Sequence, residues 1–75
     1  MGEPSVVTVD ARDMLCAQAL AVVAQAVERL APGGVLQVAY NTDDVQRDLV
    51  IWVRERGHRL VAMDAATLRM QRGPS

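Results

Sequence analysis

The chain has 75 residues, about half of them hydrophobic, and a formal net charge of −1. That length supports one domain, buries roughly 60% of the surface an unfolded chain exposes, and leaves no room for a deep active-site cavity. Near-balanced charge argues against a basic nucleic-acid arm or a polyanionic tail, and a single cysteine cannot form an internal disulfide.

Met1 to Pro4 reads as a polar lead-in, and the β-branched run Ser5 to Val9 as a strand. Val7 and Val9 should share one face of it, Val6 and Thr8 the other. From Cys16 to Leu30 the apolar period lengthens. Cys16, Leu20, Val23, Val27 and Leu30 step by four and three, the buried stripe of a helix. Ala17, Ala21 and Ala24 are small enough for close backbone approach, and Pro32-Gly33-Gly34 turns the chain.

Val35 to Tyr40 is a second strand, with Leu36, Val38 and Tyr40 on one face. The intervening helix makes the two strands parallel, joined by a right-handed crossover. Thr42 is placed to cap a second helix, and Asp43 and Asp44 suit its positive end. Val45, Leu49, Trp52 and Val53 form its buried stripe, and Gly57 stops it. Arg59 to Met63 and Thr67 to Gln71 are strands three and four. The short link Asp64-Ala65-Ala66 makes them a hairpin, although it lacks the glycine tight turns prefer. Arg72 to Ser75 reads as a loose tail. The expected fold is an α/β (α+β) two-layer sandwich, βαβαββ, with two helices on one face of a four-stranded mixed sheet. It forms one domain over 1–75 with an ordered core of about 5–72. The other sheet face is left for water or a partner.

Trp52 and Tyr40 are the only aromatic residues and phenylalanine is absent, so the core must be aliphatic. No run of about 18 apolar residues spans a membrane and no charged and apolar leader opens the chain. A soluble protein of the reducing cytoplasm is expected, without membrane or direct nucleic-acid partners.

Chemistry, if present, belongs to Cys16, the sole thiol, at the first turn of the first helix. Unpaired amides and the positive dipole end favour a thiolate or a persulfide anion there. Bringing a thiol from about 8.5 to neutrality takes roughly 2 kcal/mol. A helix terminus typically supplies about 0.3 to 1 kcal/mol. Backbone contacts or Arg12, four residues earlier, would have to add to it, against Asp10 and Asp13. The competing reading is a small buried hydrophobe on the helix stripe. Asp43, Asp44 and Asp48 offer too few oxygens for a hard metal and read as dipole compensation. His58 reads as loop punctuation after Gly57, with nothing in the sequence to bring it to Cys16.

A strand, then Asp10-Ala11-Arg12, then a cysteine opening a helix resembles the TusA/SirA-like sulfur-carrier family, whose signature is roughly Asp-x-Arg-Gly-x-x-Cys-Pro-x-Pro. Leu30-Ala31-Pro32-Gly33-Gly34-Val35-Leu36 is similar to the family's Leu-x-Pro-Gly-x-x-Leu turn. Arg47-Asp48-Leu49, Trp52 and Gly57-His58 are similar to its second helix and exit. The resemblance runs from about Val7 to Arg72. Ala17 and Ala19 stand where the family has prolines, Asp13 where it has glycine, Leu15 where a basic residue is common, and Asp43 at a proline position. The chain thus reads as a divergent member.

The resemblance implies the βαβαββ sandwich reached above from periodicity. It implies a carrier that holds sulfur as a persulfide on Cys16, with Arg12 as supporting charge and no cofactor. The sulfur would come from a cysteine desulfurase or rhodanese-like donor and pass to an acceptor protein in a sulfur relay. The alternative is a non-catalytic interaction module whose Cys16 is structural.

Overall fold

The computed structural model describes residues 6–73. The expected lead-in, Ser5 of the first strand and residues 74–75 of the tail lie outside them. The elements are β1 (Val6–Asp10), α1 (Cys16–Glu28), β2 (Val35–Ala39), α2 (Asp43–Glu55), β3 (Arg59–Met63) and β4 (Thr67–Gln71). The sheet order is β1-β2-β4-β3, with β1 and β2 parallel and the other two pairs antiparallel. This is the two-layer α+β sandwich that the periodicities and the Pro-Gly-Gly break lead to.

β2 and β4 are central strands, so the alternate residues on their helix side are sealed. Leu36 pairs with Met70 and Val38 with Leu68, and all four are buried. Against them pack Ala19, Val23 and Val27 of α1 and Val45, Leu49 and Val53 of α2. On the opposite face Arg69 donates to Gln37 at 2.6 Å across the same strand pair, so the middle of the open sheet face is polar.

Several details differ from the sequence expectations: β2 ends at Ala39, one residue before Tyr40, and Trp52 of the expected buried stripe is only partly buried. α1 ends at Glu28, with Arg29 as its C-cap; the expected helix ran to Leu30. The last turn tightens, with Arg29 N–H bonding Ala26 O and Leu30 N–H bonding Val27 O, so Leu30 stays buried beyond the helix. The close-packed alanine of α1 is Ala19, fully buried, whereas Ala17 and Ala21 are exposed. A residue as weakly hydrophobic as alanine hardly marks the phase of a stripe in an alanine-rich run. In β3 the alternation is broken. Leu60 pairs with Met70, Ala62 with Arg69 and Met63 with Leu68, so a bulge falls between Leu60 and Ala62. It returns Met63 to the side of Leu60 and kinks the edge strand, as bulges do.

The hairpin turn without glycine is held by Asp64. Its Oδ1 accepts from Ala66 N–H (2.8 Å), Thr67 N–H (2.8 Å) and the Thr67 hydroxyl (3.2 Å). Tyr40 braces the same turn: its hydroxyl lies 2.5 Å from Asp64 O and 2.9 Å from Thr67 O, with one proton to donate to either. At the other end Arg72 closes α1, its Nη1 donating to Val27 O at 3.1 Å and also to Leu30 O.

Candidate functional site

A parallel β1–β2 pair makes α1 and α2 run the same way on one sheet face. Their first turns therefore lie side by side at one end of the sandwich. Cys16 is the first residue of α1, behind the N-cap Leu15. Leucine has no side-chain acceptor, so only half of a capping box forms, with Leu15 N–H donating to Gln18 Oε1 at 3.0 Å. The first-turn amides, the positive end of the helix dipole, are left without a side-chain cap. Cys16 is half-buried and Leu15, beside it, is 74% exposed.

Asp13, three residues before the cysteine, has φ of 65°, a left-handed conformation that glycine adopts most cheaply. Asn41 stabilises it. Asp13 N–H donates to Asn41 Oδ1 at 2.9 Å, and Asn41 Nδ2 donates to Asp13 Oδ1 at 2.8 Å. The loop entering α1 is thereby tied to the loop entering α2. Thr42 caps α2 as expected, its Oγ1 accepting from Val45 N–H at 3.3 Å.

The electrostatics of the thiol run against the sequence expectation of a favoured thiolate. The Cys16 pKa is raised, first through the polar interaction of the protonated thiol with the neighbouring Asp48 carboxylate. Desolvation and the charges of Asp48 and Asp44 add to this, and Arg47 opposes it. At neutral pH the unmodified cysteine is a protonated thiol facing a carboxylate. From sequence alone Asp48 reads as dipole compensation. The signal that marks it is topological: a parallel crossover sets the second turn of α2 beside the first turn of α1.

Arg12 is placed differently from Cys16's other neighbours. Its Nε and Nη2 clamp both oxygens of Asp10, at 2.9 and 3.0 Å, and its N–H also reaches Asp10 Oδ1. This fork lowers the Asp10 pKa to about 2 and raises that of Arg12. Arg12 is not among the charges that set the Cys16 thiol. His58 follows the C-terminus of α2, at the opposite end of the molecule from Cys16. Among the described residues no group of three or more His, Cys, Asp or Glu side chains is placed to hold a metal ion.

The fold sorts charge that the sequence mixes. At the Cys16 end lie Asp10, Asp13, Asp43, Asp44, Asp48 and Asp64, against Arg12 and Arg47. At the other end lie Arg29, Arg54, Arg56, Arg59 and Arg72, against Glu28 and Glu55. A net charge near zero thus conceals an acidic pole around the cysteine and a basic pole opposite.

The family model described as "Sulfurtransferase TusA" matches residues 7–71. No curated protein and no solved structure matches the chain. A match over nearly the whole length, carried on the βαβαββ sandwich, shows that the chain belongs to the TusA sulfurtransferase family.

Proposed function

We propose that this TusA-family chain is a sulfur carrier that accepts and donates a persulfide sulfur on Cys16. One observation carries the reading. The sole thiol of a sulfurtransferase-family chain stands at the first residue of a helix, partly exposed, beside uncapped amides. In the loading step, Sγ of Cys16 attacks the outer sulfur of a donor protein's persulfide. The donor S–S bond breaks, its electron pair leaves on the donor's cysteine, and Cys16 becomes a persulfide with no net oxidation or reduction. The thiol proton passes to the Asp48 carboxylate, the acceptor beside it, and then to the departing donor thiolate. Unloading reverses this at an acceptor thiol.

The added sulfur stands about 2 Å beyond Sγ, one S–S bond length. The transferable atom therefore lies further out than Sγ itself, beside the exposed Leu15. Arg12 supports the site by holding Asp10 in an ion pair, which removes one bare carboxylate from the approach to Cys16. The donor is a cysteine desulfurase or a rhodanese-like protein, and the acceptor is a second protein of a sulfur relay. The carrier works as a soluble cytoplasmic protein; among the described residues no helix is long and apolar enough to cross a membrane.

The test is intact-protein mass spectrometry after incubation with a desulfurase and cysteine, or with a small sulfane donor. Wild-type protein should gain one sulfur and Cys16→Ser none, while the variant keeps its fold. Wild-type protein that gains no sulfur from several donors, with a Cys16→Ser variant that unfolds, would make Cys16 a core residue and end the carrier reading.

A further inference from the structure

The basic pole holds a cavity of about 350 Å³ between the C-terminal halves of the two helices and the end of β4. Arg56, Arg72, His58 and Trp52 line it, with Glu28 and Val27. Nothing in the proposed sulfur chemistry uses it, because Cys16 lies at the opposite end of both helices.

Its chemistry is that of an anion site. The C-terminal carbonyls of α1 would repel an anion, but Arg72 Nη1 already occupies those of Val27 and Leu30. Arg72 Nε is sealed behind the cavity wall and has no acceptor among the described residues, so no carboxylate neutralises this guanidinium from behind. Arg56 lies over the Trp52 ring, 5.8 Å from its centroid, which holds its planar head beside the cavity. His58 accepts Gly73 N–H at Nδ1 (2.9 Å), so its remaining proton is on Nε2 and makes that nitrogen a donor. Burial, then Arg72, then Arg56 push the His58 pKa down. The lining carries two guanidinium groups, Arg56 and Arg72, against one carboxylate, Glu28, so its net charge is positive.

We infer that this cavity binds a small oxyanion of the phosphate or sulfate type between Arg56 and Arg72, with His58 and Trp52 as its walls. Two guanidinium groups and an imidazole N–H match an anion with several oxygens better than a monatomic ion, since guanidinium forks pair with oxyanion edges. Occupancy has a built-in reporter. A bound anion offsets the arginine charges, so the His58 pKa rises towards its ordinary value, and the Trp52 indole, 5.5 Å from the His58 ring, senses the same event.

The test is a titration of the full chain with inorganic phosphate, then with sulfate. Ionic strength is held constant with sodium chloride, and His58 ring, Trp52 indole and Gly73 amide signals are followed by NMR. Saturable shifts at these three groups, with a higher His58 pKa in phosphate, are expected. Arg56→Gln should weaken binding by roughly fivefold to tenfold, as loss of one charge-assisted contact does, without loss of melting temperature. Arg56 is exposed, so the variant keeps the core, and Arg72 is left in place because it closes α1. Shifts that do not saturate, that chloride reproduces at equal ionic strength, or that Arg56→Gln leaves unchanged would overturn the inference. None of these results depends on sulfur loading at Cys16.

Discussion

Asp13 and Asn41 bind each other twice, backbone to side chain and side chain to side chain, across the two loops that open the helices. The left-handed backbone of Asp13 is the local strain this pair offsets. Because the N–H of residue 13 makes one of the two bonds, any residue there except proline keeps half of the tie.

Substitutions at this position should therefore separate backbone from side chain. Asp13→Gly relieves the left-handed conformation and forfeits only the exposed side-chain bond, so its stability should lie within about 0.5 kcal/mol of wild type. Asp13→Ala keeps the strain and loses the bond, and should cost about 1 to 2 kcal/mol. Urea denaturation of both variants checks the order. Equal stabilities would mean that the left-handed turn is not retained in solution.

The thiol should respond to its carboxylate neighbour. Asp48→Asn removes the charge that favours the protonated form, so the Cys16 pKa should fall. Alkylation by iodoacetamide near neutral pH should speed up, by about threefold for each unit of fall, because the larger thiolate fraction is partly offset by weaker nucleophilicity. Arg47→Gln should slow it, since Arg47 is the charge that lowers the pKa. Rates measured against pH for the three proteins decide this. An unchanged profile in Asp48→Asn would remove Asp48 from the site.

Acid should weaken the fold in two separate windows. His58 has a folded pKa below its unfolded value, through burial and then Arg72 and Arg56. Its contribution is complete above about 6.5, the unfolded value, and is lost as pH falls below that. Asp10, lowered to about 2, has the same sign, but its loss begins only below about 3.9 and completes near its folded value. Thermal melts from pH 8 to pH 5 should fall for wild type and flatten in His58→Gln. A wild-type curve already flat over that range would contradict the half-buried imidazole with its lowered pKa.

The hairpin turn makes a third structural prediction. Asp64→Ala removes the acceptor for Ala66 and Thr67, and should lower the melting temperature clearly. Asp64→Asn keeps an oxygen in place and should lower it less. Circular dichroism melts of the two variants distinguish a turn held by acceptor geometry from one held by Tyr40 alone.

The architecture was legible because each element announces its period. The valine run of β1, the alternating Leu36, Val38 and Tyr40, and the α2 stripe of Val45, Leu49 and Val53 lead to the elements that form. What stayed hidden depends on partners distant in sequence. The β3 bulge is set by pairing with β4, and strict alternation misassigns Met63. The burial of Ala19 depends on which alanine meets the sheet. At the site, the position of Cys16 at a helix start followed from the local sequence. Its pKa did not, because Asp48 reaches the thiol only once the crossover has laid α2 beside α1. Arg12 looked available to the cysteine by spacing alone, yet Asp10, two residues away at the end of β1, captures it first. The sorting of charge into two poles was equally invisible, since it requires knowing which way each helix and strand runs.

That sorting gives a nearly neutral molecule a sense of direction. A uniform field exerts almost no net pull on it, yet turns it, because its two ends are pushed opposite ways. Near a cationic protein surface the torque swings the Cys16 end forward before contact; near an anionic one it presents the arginines. Encounter would then be pre-oriented without strong long-range attraction, and its rate would fall as salt shortens the reach of the field to about 10 Å at 0.1 M. A chain with few charges to spare can in this way spend them on heading instead of on affinity.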